Sequence, residues 1–352
     1  MPSLPSDLGP ILAIASRSGR IESWHRGSLA VWHADELLFA LGDVASPVFC
    51  RSAVKPLQAL PFFDRGLDQK FALGPAEIAL LCASHDGTNR HVEIVRGLLQ
   101  RGGFGEDLLG CGPHAPLDPK ARVQLIQLGK EPLRVHNNCS GKHAGFLHLA
   151  AACGDSLDEY LDPLCQSQRE VNDAVALMAA VSAPVAVGVD GCGAPTFLLP
   201  LSALARSFAK LANPTGLSAV RAKACSSILD AAGREPVLLA GERRFCTALL
   251  RSLPGRMFAK NGAEGVYAVA LAPDARRTLC PGGVGIAIKI DDGMERGYQP
   301  VIVDLLLRLG VFSAGLPAGL QSFHVQPVLN TRGAQLGDLR CAFDWSAVLG
   351  HA

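Results

Sequence analysis

Residues 29–65 read LAVWHADELLFALGDVASPVFCRSAVKPLQALPFFDR, and this stretch decides the fold. Residues 29–33 and 37–42 are two short apolar runs joined by Ala34, Asp35 and Glu36, the pattern of a β-hairpin. From Ser52 the apolar period becomes that of a helix, which is expected over residues 52–65. Pro56 has no N–H, and a helix tolerates that only in its first turn, so the helix should begin near Ser52. Such a start would place the Ser52 hydroxyl at the positive end of the helix dipole.

On the N-terminal side, residues 11–16 read as a further strand. On the C-terminal side, residues 75–82, 90–102, 120–129, 144–153, 161–168 and 168–180 carry helical patterns, with Asp118-Pro119 opening the third of these. Residues 185–189 read as a strand that runs into a glycine-rich turn. Helices follow at 201–211 and 217–232, strands at 257–260, 266–271 and 283–291, and a helix at 298–309. β-Rich ends therefore flank a helical middle. The expected class is α+β: a mainly antiparallel sheet built from both chain ends, carrying helices, with a helical region inserted. Within one unit of residues 1–352, the sheet part covers about 1–50 and 183–352 and the helical part 51–182.

Composition supports a large folded core. The chain has 352 residues, 49% apolar and only 18% charged, which excludes intrinsic disorder. Thirty-three basic residues nearly balance 32 acidic ones, so no long-range field steers the protein to nucleic acid or an anionic membrane. No run of about 20 apolar residues could span a bilayer. The N-terminus has no basic segment ahead of its short apolar run at residues 11–15, which argues against an export signal and for the cytoplasm. The cysteine count is 11, an odd number, in keeping with free thiols in a reducing compartment. Most of these cysteines read as small core residues.

The sharpest chemical signal is Arg51-Ser52-Ala53-Val54-Lys55-Pro56. Serine and lysine three apart on a helix share a face. A lysine held neutral can take the serine's proton and make it a nucleophile. The Ser-x-x-Lys pattern alone also arises by chance beside ordinary helix caps. Three more segments are chemically dense. Ala83-Ser84-His85-Asp86-Gly87 is a polar turn after an apolar helix: Ser84 could relay a proton or bind substrate, and His85 and Asp86 could bind polar groups. In Asn137-Asn138-Cys139-Ser140-Gly141-Lys142-His143, Asn138 or Ser140 could cap the next helix, and Cys139 and Lys142 stand three apart. Gly188-Val189-Asp190-Gly191-Cys192-Gly193 ends a strand where the Asp190 carboxylate could meet an amine, with Gly191 allowing close approach. Cys139 and Cys192 read either as free thiols or as zinc ligands. Lys260, before Asn261-Gly262, reads either as a solvent lysine of a hairpin or as a group facing the site.

Taken in order, RSAVKPLQ (51–58), ASHDG (83–87), NNCSGKHAG (137–145), GVDGCGAP (188–195), KNGAEG (260–265) and GGVGIAIKIDDG (282–293) resemble the asparaginase II family of the Rhizobium etli type. The resemblance spans about residues 11–310. It implies a fold similar to serine β-lactamases and glutaminases. It also implies hydrolysis of L-asparagine by two Ser-Lys pairs, Ser52 with Lys55 and Ser84 with Lys260. Arg51, His85, Asp86, Asn138, Asp190 and Gly191 are the candidate substrate-binding residues, and the resemblance implies that Asp190 takes the substrate's amino group. It further implies a zinc ion held by Cys139, Lys142 and Cys192 that aids substrate binding, and a homodimer. One departure stands out: after Ser84-His85 the family pattern has Ser or Asn and later Glu, where this chain has Asp86-Gly87-Thr88-Asn89. The rival readings are another Ser-Lys amidohydrolase, such as a glutaminase or a β-lactam or peptide hydrolase, and a non-catalytic zinc-holding amino-acid binder. The Ser-Asp-Asn and Lys-Thr-Gly motifs of a β-lactamase are missing from the sequence.

Overall fold

The computed structural model describes residues 9–274, 276–277 and 279–345. Residues 1–8, part of the segment inspected for an export signal, lie outside them. The fold is α+β, and the chain divides into two compact units: residues 1–48, 199–213 and 259–352 form one, and residues 49–198 and 214–258 form the other. Among the described residues, no helix is long and apolar enough to cross a membrane.

The first unit is built on an antiparallel sheet made from both chain ends. Strand Ile11–Arg17 turns through Ser18 and Gly19, both at positive φ, into the 14-residue strand Arg20–His33. Two residues at positive φ give a hairpin turn whose twist matches that of the strands. The first half of the long strand pairs with Ile11–Arg17. Its second half pairs with Glu36–Leu41 on one side and Val284–Ile290 on the other. The expected 29–42 hairpin is therefore present. The strand starts nine residues earlier than expected because Arg20, Glu22 and His25 mask the apolar alternation. Val266–Leu271 pairs with Val284–Ile290. At the other edge, the half-exposed strands Gln326–Leu329 and Gln335–Cys341, which lack an apolar pattern, complete the sheet.

Helices cover both faces of this sheet. Gly285 shows how closely one of them packs: a Cβ there would lie 1.8 Å from the Ala205 carbonyl oxygen, so helix Leu201–Ala212 rests directly on the strand. Ile290, five positions on and so on the opposite face, meets Gly297 of helix Glu295–Arg308. Burial from both sides explains why every residue of Val266–Leu271 is buried and why that strand reads as a continuous apolar run.

The second unit is helical, with helices Pro75–Leu81, Asn89–Gly102, Ser140–Cys153, Gln166–Ala179 and Ala219–Arg234. Strands Val187–Val189 and Pro195–Pro200 pair antiparallel around the Asp190–Gly193 turn. Two expectations change here. Residues 161–165 are turns, and the helix begins at Gln166. The single helix expected over residues 52–65 is three short pieces: a 3₁₀ turn Arg51–Val54, then Lys55–Gln58, then Leu60–Asp64. Pro56 does occupy a first turn, but of the piece that starts at Lys55. Pro61 has no N–H to continue the i→i−4 ladder and breaks the run again. Ser52 thus stands in a 3₁₀ turn, and a four-residue turn carries too few aligned peptides for the expected dipole effect.

Candidate active site

Helix Ser140–Cys153 is the axis of the second unit, buried on all sides from Ser140 to Ala150. It lies against helix Pro75–Leu81 through two glycines. A Cβ on Gly141 would sit 2.5 Å from the Leu80 carbonyl oxygen, and one on Gly145 would sit 2.6 Å from Leu81 Cδ2. This close approach brings the Ser84 turn, which follows one helix, beside Cys139 and Lys142, which start the other.

Lys55 sits at that junction and is 1% exposed. Its Nζ donates to the Ala83 carbonyl at 2.6 Å, to Ser84 Oγ at 2.9 Å and to Cys139 Sγ at 3.1 Å. Three acceptors match the three protons of an ammonium group. Ser52, its sequence neighbour, is not one of them among the described residues. Ser84 is buried, and its backbone N–H donates to the Leu239 carbonyl at 3.0 Å. Ser52 is half-buried. The serine hydroxyl that the structure places on Lys55 is therefore that of Ser84, 29 residues away.

Cys139, Lys142 and Cys192 come together as a buried group. Lys142 Nζ lies 3.4 Å from Cys192 Sγ. Cys192 hydrogen-bonds Cys139, and with Lys55 and Lys142 close by this holds the Cys139 thiol well below its ordinary range. The same shared proton, with burial, pushes the Cys192 thiol up. Burial acts to lower the Lys142 pKa, but Cys192, Cys139 and Asp190 outweigh it and the net direction is up. Behind Lys142 lies an apolar wall of Phe62, Leu81, Phe146 and Leu149 around a cavity of about 10 Å³. Among the described residues, no three His, Cys, Asp or Glu side chains cluster as a metal site. The donor set here is two sulfurs and one amine nitrogen.

Arg51 and Asp190 form an ion pair, Nε to Oδ1 at 2.8 Å, with Asp190 the more buried of the two. The Gly191 N–H caps the same carboxylate oxygen at 2.8 Å. Burial acts to raise the Asp190 pKa, yet the Arg51 hydrogen bond and Lys142 hold it below the ordinary value. Arg51 itself has φ +48°, a strained left-handed conformation for a residue with a side chain. Such strain persists where the surroundings over-determine it, and it clusters at functional sites.

His85 is fully buried and both its ring nitrogens are used inside the protein. Nδ1 accepts from the Gly87 N–H at 3.1 Å, so Nε2 donates to Ser140 Oγ at 2.9 Å, which in turn donates to the Val135 carbonyl. The His85 N–H donates to the Asn138 carbonyl at 3.0 Å. His85 and Asn138 thus tie the Ser84 turn to the start of helix Ser140–Cys153. Asp86 packs so closely on Gly241 that a Cβ there would lie 1.7 Å from Oδ2, and Gly241 has φ +154°.

Burial raises the Asp86 carboxyl to about 6, with Arg244 opposing and Asp118 adding to the rise. The unfolded chain loses this proton near 3.8 and the folded protein near 6. Folding therefore binds a proton in that window, and stability falls as pH rises from about 4 to 6. Asp86→Asn is expected to remove this loss. The variant's thermal midpoint should exceed that of the wild type at pH 7, with the gap closing as pH falls to 4. A difference that stays constant from pH 4 to 8 would refute the assignment.

Lys260 belongs to the sheet unit, on strand Met257–Gly262. It is fully buried, and its Nζ donates to the Asn261 carbonyl at 2.9 Å and to Asn261 Oδ1 at 3.0 Å. The solvent-lysine reading is therefore excluded. The sequence reading missed Tyr160 and His143, whose hydroxyl and Nδ1 are 2.7 Å apart in the wall of the helical unit. His143 lay inside a quoted motif, whereas Tyr160 stands in a stretch with no pattern.

Comparison with known proteins adds the following. A search of curated proteins found no match. One similar solved structure is described as the crystal structure analysis of Mglu in its native form. It has 16% sequence identity and a TM-score of 0.42 over 82% of this chain, and the match covers 64% of that chain. The profile for L-asparaginase II matches residues 13–341, nearly the whole chain and all of the motifs gathered above. This chain belongs to the L-asparaginase II family.

Proposed function

We propose that this protein hydrolyses the side-chain amide of L-asparagine to L-aspartate and ammonia through a serine nucleophile activated by lysine. The observation that carries this reading is the buried Lys55 with a serine hydroxyl 2.9 Å from its Nζ, in a chain of this family. Ser52 attacks the amide carbon. It is half-buried and open to a substrate, whereas Ser84 is enclosed and committed to Lys55. Its proton passes to Ser84 as Ser84 gives its own to Lys55, which must be in its neutral amine form to accept it, and the proton returns the same way to the departing ammonia. Water then hydrolyses the aspartyl ester. The resemblance alone assigns Lys260 to this proton transfer. Asp190 takes the α-ammonium group and Arg51 the α-carboxylate, so a substrate zwitterion replaces the internal ion pair.

Cys139, Lys142 and Cys192 would hold zinc, and two sulfurs with an amine nitrogen suit that borderline-soft ion. When bound it would supply positive charge beside Asp190 that favours the substrate carboxylate. Lys142 must lose its proton to serve as a ligand, so zinc should bind more tightly as pH rises. All 11 cysteines are free thiols, which supports placement in the cytoplasm. A homodimer is part of the same proposal, and light scattering would test it.

Ammonia release from L-asparagine and L-glutamine, with zinc added or chelated, tests the reading. Release from asparagine in excess of glutamine is expected, with a lower KM when zinc is present. No release from either substrate by folded, zinc-loaded protein would overturn it and leave the amino-acid binder as the better account.

A further inference from the structure

Tyr160 is 1% exposed and lies outside every motif, yet its hydroxyl joins two segments that the proposed site depends on. The Gly110 N–H donates to Tyr160 Oη at 2.6 Å. With that lone pair taken, the hydroxyl's own proton has one acceptor among the described residues, His143 Nδ1 at 2.7 Å. The imidazole proton must then sit on Nε2, which is buried and has no hydrogen-bond partner among the described residues. His143 follows Lys142 directly, and its backbone N–H donates to the Cys139 carbonyl at 3.0 Å. The ring's orientation is thereby set within the helical turn that presents Cys139 and Lys142.

The other side of the hydroxyl acts on the Asp190 turn. A Cβ on Gly110 would lie 3.0 Å from Tyr160 Oη and 2.6 Å from Leu161 Cδ1, so the chain at Gly110 is seated directly on this pair. A Cβ on Gly193 would meet Leu161 Cδ1 at 3.6 Å and the Gly110 carbonyl oxygen at 3.7 Å. The turn that carries Asp190 and Cys192 therefore rests on Gly110 and Leu161. Arg134 donates to the Leu109 carbonyl and Asn137 Nδ2 to the Gly112 carbonyl, which anchors the supporting segment on either side.

We infer that Tyr160 is a positioning residue of this site: its hydroxyl fixes the tautomer of His143 and holds Gly110 beneath the turn that carries Asp190. The kinetic part of this inference rests on the asparaginase reading, and the tautomer part does not.

Tyr160→Phe keeps the ring and removes only the oxygen. With ¹⁵N-labelled histidine, long-range ¹H–¹⁵N spectra should show His143 as a single Nε2–H tautomer in the wild type, with the signals assigned by their loss in His143→Gln. In Tyr160→Phe the two tautomers should mix. KM for L-asparagine should rise about five- to tenfold while kcat stays within about threefold, because the disturbed element binds substrate and does not carry the nucleophile. Protonation of Nδ1 in the wild type would overturn the inference without need of any variant. So would a Tyr160→Phe protein with unchanged KM, or one whose kcat falls as KM holds. Failure of the asparaginase reading is a different result: the wild type releases no ammonia, while the tautomer measurement still decides the hydrogen-bond assignment.

Discussion

Ser52→Ala is expected to lower kcat for L-asparagine by about 10⁴-fold or more, the scale seen when a serine nucleophile is removed, with the fold intact. Ser52 stands in a 3₁₀ turn, half-buried, and forms none of the bonds that engage Lys55. Removing its hydroxyl breaks no contact to Lys55 and opens no core cavity, so circular dichroism and thermal unfolding should be close to wild type. Ser84→Ala is the informative contrast. It deletes the hydroxyl that Lys55 holds, impairs proton transfer and should cost about 10²–10³-fold. Intact-mass analysis of protein quenched during turnover, followed by peptide mapping, should place an aspartyl adduct on Ser52. An adduct on Ser84, with Ser52→Ala turning over near the wild-type rate, would exchange the two roles and sink the present one.

Lys55→Met and Lys55→Arg are both expected to lose about 10³-fold or more in kcat. The pairing of variants separates two functions of the residue. Methionine keeps much of the length and removes the amine. Arginine keeps the positive charge beside Cys139 but cannot give up a proton in a protein, and its planar fork does not reproduce the three bonds that Lys55 makes. If Lys55 serves only to neutralise the Cys139 thiolate, Lys55→Arg should keep a large part of the activity. Retention of more than about one tenth of wild-type kcat by Lys55→Arg would therefore rule out the base role. A refolding control is needed, because removing one partner from a buried charged group is destabilising in its own right.

Other parts of the protein were legible for local reasons. The 29–42 hairpin could be read because alternation and a short polar turn act over a few residues, and Val266–Leu271 because burial from both faces leaves a plain apolar run. Strand 20–27 and the final pair of strands could not, because their polar residues follow no period and their place depends on the strands beside them. The broken helix over residues 52–65 is a borderline case. Pro56 is a first-turn proline, as its missing N–H requires, but Pro61 and the 3₁₀ start place that turn three residues further on than the pattern suggests.

By itself, the sequence determined which residue types stand together in six short motifs, and hence the family and the candidate list. Motifs of this kind are local, and a resemblance needs only their order. Which side chains meet was decided by tertiary packing alone. Lys55 bonds Ser84 and Cys139, 29 and 84 residues away, in place of Ser52 three residues away. That choice follows from two helices packed closely through Gly141, against the Leu80 backbone, and Gly145, against the Leu81 side chain, a distance that no spacing along the chain encodes. Tyr160 is the same lesson at one remove. Nothing around it in sequence marks it, and its meaning lies in what its oxygen touches.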